Sequence, residues 1–291
     1  MKASHSMSMV LKPGHIDSAS EHLSKWVSQI VVFTGICAIL FPIAWLFLTA
    51  FKFPRDVYAL QTAFAFTPTL ENFQTIFDHP WLLGNKIVNS LVVASGTVLL
   101  AIPMATMAAY AFSRFEFRFK KIIFFTVIAS QFIPAAVIVL PYFLMFKQLG
   151  LLDTRIALVL INMSIVLPYA VWMMKGFIDA VPLEIEESAM VDGAERSRVI
   201  WEIVVPTALP GIITAAVFGF TLTWNEFLFA LIISKQDALT LPIGLIGFRT
   251  ERGDLWELMA AGGILITAPM FLISLLVQKQ FIQSLTAGSV R

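Results

Sequence analysis

Residues Pro182–Pro210 read PLEIEESAMVDGAERSRVIWEIVVPTALP. Charged residues are only 13% of the 291-residue chain, yet Glu184, Glu186, Glu187, Asp192, Glu195, Arg196, Arg198 and Glu202 all fall in this one stretch, between long apolar segments. Pro182 suits the first position of a helix, and the glutamates that follow place negative charge at the positive end of its macrodipole. Ile185, Ser188 and Ala189 recur at helical spacing and form a narrow face of mostly small residues. Asp192-Gly193 interrupts the pattern, because glycine can take the left-handed conformation that ends a helix. A second amphipathic run carries Val199, Ile200, Ile203 and Val204, and Pro206 stops it. The stretch therefore predicts a short helix, a turn and a second helix, lying on a membrane rather than in it.

Composition sets the class independently. Hydrophobic residues make up 58% of the chain and the mean hydropathy is +0.82, more apolar material than a soluble core of this size needs. A net charge of +1 makes no case for nucleic acid as a partner. The single cysteine, Cys37, excludes an internal disulfide framework and any multi-cysteine metal site. His5, His15, His22 and His79 all lie outside the apolar runs, so no metal site is expected.

Residues 1–25 are polar, mixed in charge and rich in serine, and read as a flexible cytoplasmic tail. The apolar runs are Trp26–Phe51, Ile87–Ser113, Ile122–Phe146, Ile156–Met174, Ile203–Asn225 extended past Glu226 to Ile233, and Leu258–Gln278. A helix needs about 20 apolar residues to cross a bilayer. Trp26–Phe51 is too long for a signal peptide and no cleavage pattern follows it. The expectation is an all-α, polytopic membrane protein of six transmembrane helices over residues 26–291, with its core at about 85–280 and a short surface helix in the loop 177–207.

An even number of spans puts both termini on one side. With the N-terminus inside, the inner segments carry twelve of the lysines and arginines and the outer ones eight. The short turn holding Arg114, Arg118, Lys120 and Lys121 is sharply basic, and short loops weigh most in setting orientation. The stretch at 182–210 is then cytoplasmic, and the chain is expected in a bacterial-type inner membrane with both termini cytoplasmic. Pro42, Pro103, Pro134, Pro141, Pro168 and Pro269 punctuate the spans, as in many transporters, while Ala101, Ala105 and Ala109 permit close helix contact.

Glu187-Ser188-Ala189, Asp192-Gly193-Ala194, Ile203 and Pro206 together resemble the EAA loop of importer-type ABC permease subunits, with Ser188 for the usual Ala and Val205 for the usual Leu. Asn89-Ser90-Leu91, the run Ala108–Phe115 (AAYAFSRF), Trp224–Ala230 (WNEFLFA) and Leu285–Val290 (LTAGSV) are similar to the carbohydrate-uptake class, in particular to the smaller maltose-type permease subunit. The resemblance implies a binding-protein-dependent importer of a sugar, polyol or related solute, working by alternating access. It implies a second permease subunit, two cytoplasmic ATPase subunits and an extracytoplasmic binding protein as partners. Glu187, Ser188, Ala189, Asp192, Gly193, Ala194, Ile203 and Pro206 would couple to the ATPase. The chain has no Gly-x-x-x-x-Gly-Lys-Ser/Thr loop, so ATP and Mg are expected in the partner ATPase, with no cofactor and no catalytic residue here.

Glu226 is a carboxylate inside a span, where a charge costs about 2.5–3.5 kcal/mol and usually has a partner or a role. With Trp224 and Asn225 it contacts either the solute pathway or a neighbouring subunit, or it hydrogen-bonds near the end of its own helix. Tyr142 and Trp172 either stack on a sugar ring or pack. Ser234–Glu257 is an outer segment in which Arg249 and Arg252 either face solvent or reach the binding protein, with Gly244 and Gly247 supplying flexibility. An ion-coupled secondary transporter is the rival function, resting on Glu226, and it has no need for the 182–210 pattern. A membrane hydrolase would need motifs or a general base that the spans lack.

Overall fold

The computed structural model describes residues 18–59, 63–78, 80–251 and 253–287, with side chains described between 25 and 278. Most of the tail read at 1–25, the residue Arg252 and the last four residues lie outside this description. Two units separate at Leu48/Thr49. The first holds most of α1 (Ser18–Ala50), which starts inside the segment read as polar tail.

The second unit contains the remaining elements. After α2 (Pro54–Val57) and α3 (Glu71–Thr75) come the long α4 (Leu83–Arg114), then α5 (Lys120–Ala129) and α6 (Ala135–Gln148). Next are α7 (Arg155–Asp179), α8 (Leu183–Val191), α9 (Arg196–Val199), a π-helical turn at Ile200–Val204 and α10 (Val205–Thr207). α11 (Leu209–Trp224), α12 (Leu228–Ile233) and α13 (Leu241–Ile246) follow. A two-residue hairpin, β1 (Arg249–Thr250) with β2 (Gly253–Asp254), precedes α14 (Trp256–Ala287). The fold class is all-α.

Among the described residues, four helices are long and apolar enough to cross a membrane unbroken: Lys25–Ala50, Leu83–Arg114, Arg155–Asp179 and Trp256–Gln278. Two more candidates are bent, Lys120–Phe132 with Ala135–Gln148 at 96° and Arg196–Thr207 with Leu209–Trp224 at 75°. Counting each bent pair as one span reaches the six expected. The first bend has a local cause. Proline disfavours the helical region for the residue before it, and Ile133, preceding Pro134, is extended at φ −75°, ψ 119°. By contrast Pro42, Pro103, Pro141, Pro168 and Pro269 lie within their helices. The fifth apolar run is likewise in pieces, with non-helical residues Asn225–Phe227 between α11 and α12.

α4 and α7 form the central pair. Ala101, Ala105 and Ala109 on α4 and Ala157 and Ala170 on α7 are fully buried. Lipid is as apolar as leucine, so helices in a membrane associate through close van der Waals contact, which small residues allow. Ser234–Glu257 is not a plain loop, since α13 and the hairpin lie within it. Gly244 gives close packing there rather than flexibility. A β-carbon at that position would come 2.5 Å from Lys86 Cδ and 2.9 Å from Leu83 Cδ1.

Candidate coupling site

α8 begins one residue later than Pro182, which stands as its N-cap with extended backbone at φ −60°, ψ 131°. Its last turn closes in a Schellman motif. The Ala194 N–H donates to Ala189 O at 3.0 Å and the Gly193 N–H donates to Met190 O at 3.1 Å. This geometry requires a left-handed residue, and Gly193 has φ +92°. No atom lies within 4 Å of where its β-carbon would be, so the backbone alone selects glycine. Beyond the turn, α9 runs into the π-helical turn, which buries Ile200 and Val204. Such turns recur at functional sites. Pro206 does not stop this helix but sits inside α10, and the chain bends after it, at Ala208.

Ala189, Asp192, Gly193, Ala194 and Ile203, together with Arg198, Val199 and Glu202, line a surface concavity of about 290 Å³. Five of the eight residues assigned to coupling are thus brought to one place. Glu187 and Ser188 are exposed on α8, and Pro206 is exposed on α10. Leu183, Ile185 and Val191 are also exposed, Val191 at 86%. The narrow face of Ile185, Ser188 and Ala189 is thus exposed at its first two positions and half-buried at Ala189.

What α8 buries is Glu186, 1% exposed. Its Oε2 accepts from Tyr110 OH at 3.0 Å and its Oε1 accepts from Arg114 Nε at 2.7 Å. Arg114 Nη2 donates to Ile178 O at 2.9 Å and to Val181 O at 2.7 Å. One guanidinium thus ties α8 to the ends of α4 and α7. Breaking one side of such a buried pair costs about 3–5 kcal/mol, because the other charge stays buried. The exposed Arg198–Glu202 pair, at 2.8 Å, is screened by solvent and adds little by comparison. Arg196 adds a second tie, its guanidinium lying 4.8 Å from the centre of the Phe115 ring. Sequence reasoning missed this cluster. The signal was available in Tyr110 and Arg114, four apart at the end of a span and therefore on one helix face.

At the opposite end of α4 and α7, backbone is held by side chains. Asn89, buried, donates to Asp237 O and Leu239 O, both at 2.8 Å, and accepts from Arg155 Nε at 2.7 Å. Asp153 accepts from the N–H groups of Lys235, Gln236, Asp237 and Ala238 at 2.8–3.1 Å. Partial burial pushes the Asp153 carboxyl up, but these four donors outweigh it and hold the group below the usual carboxylate range. Ser90 Oγ accepts from the Leu241 N–H at 2.8 Å.

The residues assigned to a solute pathway face different neighbours. Trp224 is buried and donates from Nε1 to Ile266 O at 3.0 Å. Asn225 is exposed and donates to Thr221 O at 2.9 Å. Glu226 accepts from the Phe229 N–H at 2.7 Å and the Ala230 N–H at 3.1 Å, so it caps α12 across the break. Tyr142 stacks on Phe146 with ring centres 6.0 Å apart, and Trp172, 53% exposed, lies 6.2 Å from Tyr169. Arg249 is an exposed hairpin residue with Asp254 Oδ1 at 3.6 Å.

Residues 98–286 match the family described as binding-protein-dependent transport system inner membrane component. The chain is 31% identical over 269 residues to DasC of Streptomyces coelicolor, a diacetylchitobiose uptake system permease protein, covering 91% of this chain and 95% of that one. It is 30% identical over 255 residues to SugB of Mycobacterium tuberculosis, a trehalose transport system permease protein, covering 87% and 92%. In fold it is similar to a chain of a bacterial ABC transporter involved in import of the polysaccharide alginate, with a TM-score of 0.76, 20% identity and coverage of 91% and 99%. A helical membrane chain with this exposed turn, matched by that family over most of its length, belongs to the inner membrane components of binding-protein-dependent transport systems, the permease subunits of ABC importers.

Proposed function

We propose that this permease carries a carbohydrate, a sugar or an oligosaccharide, and is driven by ATP hydrolysed in separate cytoplasmic subunits. The observation that carries the energetic half is the α8–α9 turn. It is exposed, shaped by the Gly193 motif and anchored through Glu186. A short helix seated in a groove of another protein is a suitable lever. Glu187, Ser188 and the rim of the 290 Å³ concavity are the surface offered to the ATPase. The carbohydrate half is supported by relatives named for diacetylchitobiose and trehalose. A second, different permease chain completes the pathway, and an extracytoplasmic binding protein delivers the solute. Both termini and the α8–α9 turn lie in the cytoplasm, as the basic turn at Arg114–Lys121 supports. Glu226, the carboxylate on which ion coupling would rest, is engaged by two backbone N–H groups.

The test is purification of the intact complex from its native membrane, with the subunits and the solute on the binding protein identified by mass spectrometry. Two ATPase copies, a second permease and a bound sugar are expected. A complex without an ATPase, or a binding protein loaded with an amino acid or metal, contradicts the reading.

A further inference from the structure

We infer that Tyr110, Arg114 and Glu186 form a rigid joint that passes displacement of the coupling helix directly into α4 as well as α7. The inference rests on the coupling role proposed for α8. By chain connection α8 follows only α7, through the link Ala180–Pro182. The side chains add a second path. Glu186 is held at both carboxylate oxygens by two residues one turn apart on α4. Two anchor points fix the rotation of α8 about its axis as well as its position. The same Arg114 guanidinium also donates from Nη2 to the carbonyls of Ile178, in the last turn of α7, and Val181, in the link to α8. A planar guanidinium can serve three acceptors at fixed angles, which a lysine ammonium on a flexible stem does not reproduce.

Burial keeps the joint stiff, with the Arg114 and Glu186 side chains only 10% and 1% exposed. Arg196 over Phe115, itself edge-on to Tyr110 at 6.1 Å, ties α9 to the same end of α4. Motion applied at the exposed tip then carries α4 and α7 as one body, whereas a loose link would absorb it. Tyr110, Arg114 and Glu186 are positioning residues that touch neither solute nor nucleotide.

The test uses the full reconstituted complex with Cys37→Ser as background. The principal variant combines Tyr110→Phe, Arg114→Met and Glu186→Leu. It removes the polar joint without leaving a buried charge unpaired, a replacement that is often neutral for stability. Arg114→Lys is the milder second variant, keeping the charge and losing the fork. Spin labels at Val191→Cys on the tip and Leu99→Cys on α4 report their separation with and without Mg-ATP and vanadate. The parent distance should stay constant between the two states, and the triple variant should shift or broaden. Stimulation of ATPase by the cognate binding protein, isolated with its bound solute, should fall about tenfold or more, within the range of site-to-site couplings. Basal turnover should hold, and Arg114→Lys should fall between. A triple variant that tracks the parent in both readouts overturns the joint. Cross-linking from Ser188→Cys to the ATPase separates the two ideas. If the parent forms no cross-link, the coupling role of α8 itself is wrong. If parent and variants cross-link alike and stimulation is unchanged, only the joint is wrong.

Discussion

At the scale of single residues, Gly193 and Glu226 carry the sharpest expectations. Gly193 is left-handed at φ +92° with open space beyond it. A side chain there meets backbone strain of roughly 1–2 kcal/mol and nothing else. Asn, which tolerates this region, should impair coupling less than Ala, and Ala less than Val. Uptake and ATPase stimulation in complexes of equal stoichiometry give the order, and an order following side-chain size instead would contradict the backbone explanation. Glu226→Gln weakens the acceptor for the Phe229 and Ala230 amides. A melting measurement on the complex should show a loss of about 1 kcal/mol, as for other caps, with solute affinity unchanged. Altered affinity at parental stability would move Glu226 into the solute pathway. Gly193 was legible in the sequence because a glycine between two amphipathic runs has few other uses. Glu186 was not. Three glutamates in one turn look alike along a chain, and only folding brings Arg114, 72 residues earlier, to one of them.

Between elements, much of the pattern was legible as hydropathy and much of the geometry was not. Apolar runs mark where a helix can cross a membrane, but not whether it stays straight. Pro134 and Pro141 look equivalent in sequence, yet only Pro134 lies at the 96° bend, while Pro141 sits inside α6. The segment after α12 misled for a different reason. Its polar composition reads as a solvated loop, whereas Asp153, Asn89 and Ser90, all distant in sequence, fasten its backbone. Asp153→Ala should therefore raise amide exchange at Lys235–Ala238 and expose Lys235 to trypsin, leaving α7 protected. The carboxyl of Asp153 lies below its ordinary value when folded. Its contribution is then full above that ordinary value and fades as pH falls through the lowered one. Exchange protection of the four amides, corrected for intrinsic rates, should follow this course in the parent and be flat in the variant. Gly244→Ala, forced against Lys86 and Leu83, should cost about 1–3 kcal/mol by overpacking, measured as a lower melting temperature of the complex.

For the whole molecule, the family was legible because the α8–α9 turn and the span pattern are local in sequence. The solute pathway was not, since Tyr142, Trp172, Trp224, Asn225 and Glu226 face separate neighbours within this chain. With the second permease proposed above, the pathway would take its walls from two chains, and one sequence would hold half of them. In the proposed mechanism, motion enters this permease from ATP through α8. Uptake of the solute found on the binding protein, in proteoliposomes of the intact complex, tests it most directly. Uptake should need Mg-ATP and the binding protein, be stopped by vanadate and be indifferent to ionophores. The same permease reconstituted alone should accumulate nothing. Uptake by the lone chain, or uptake that collapses with an ion gradient while ATP remains, would contradict it.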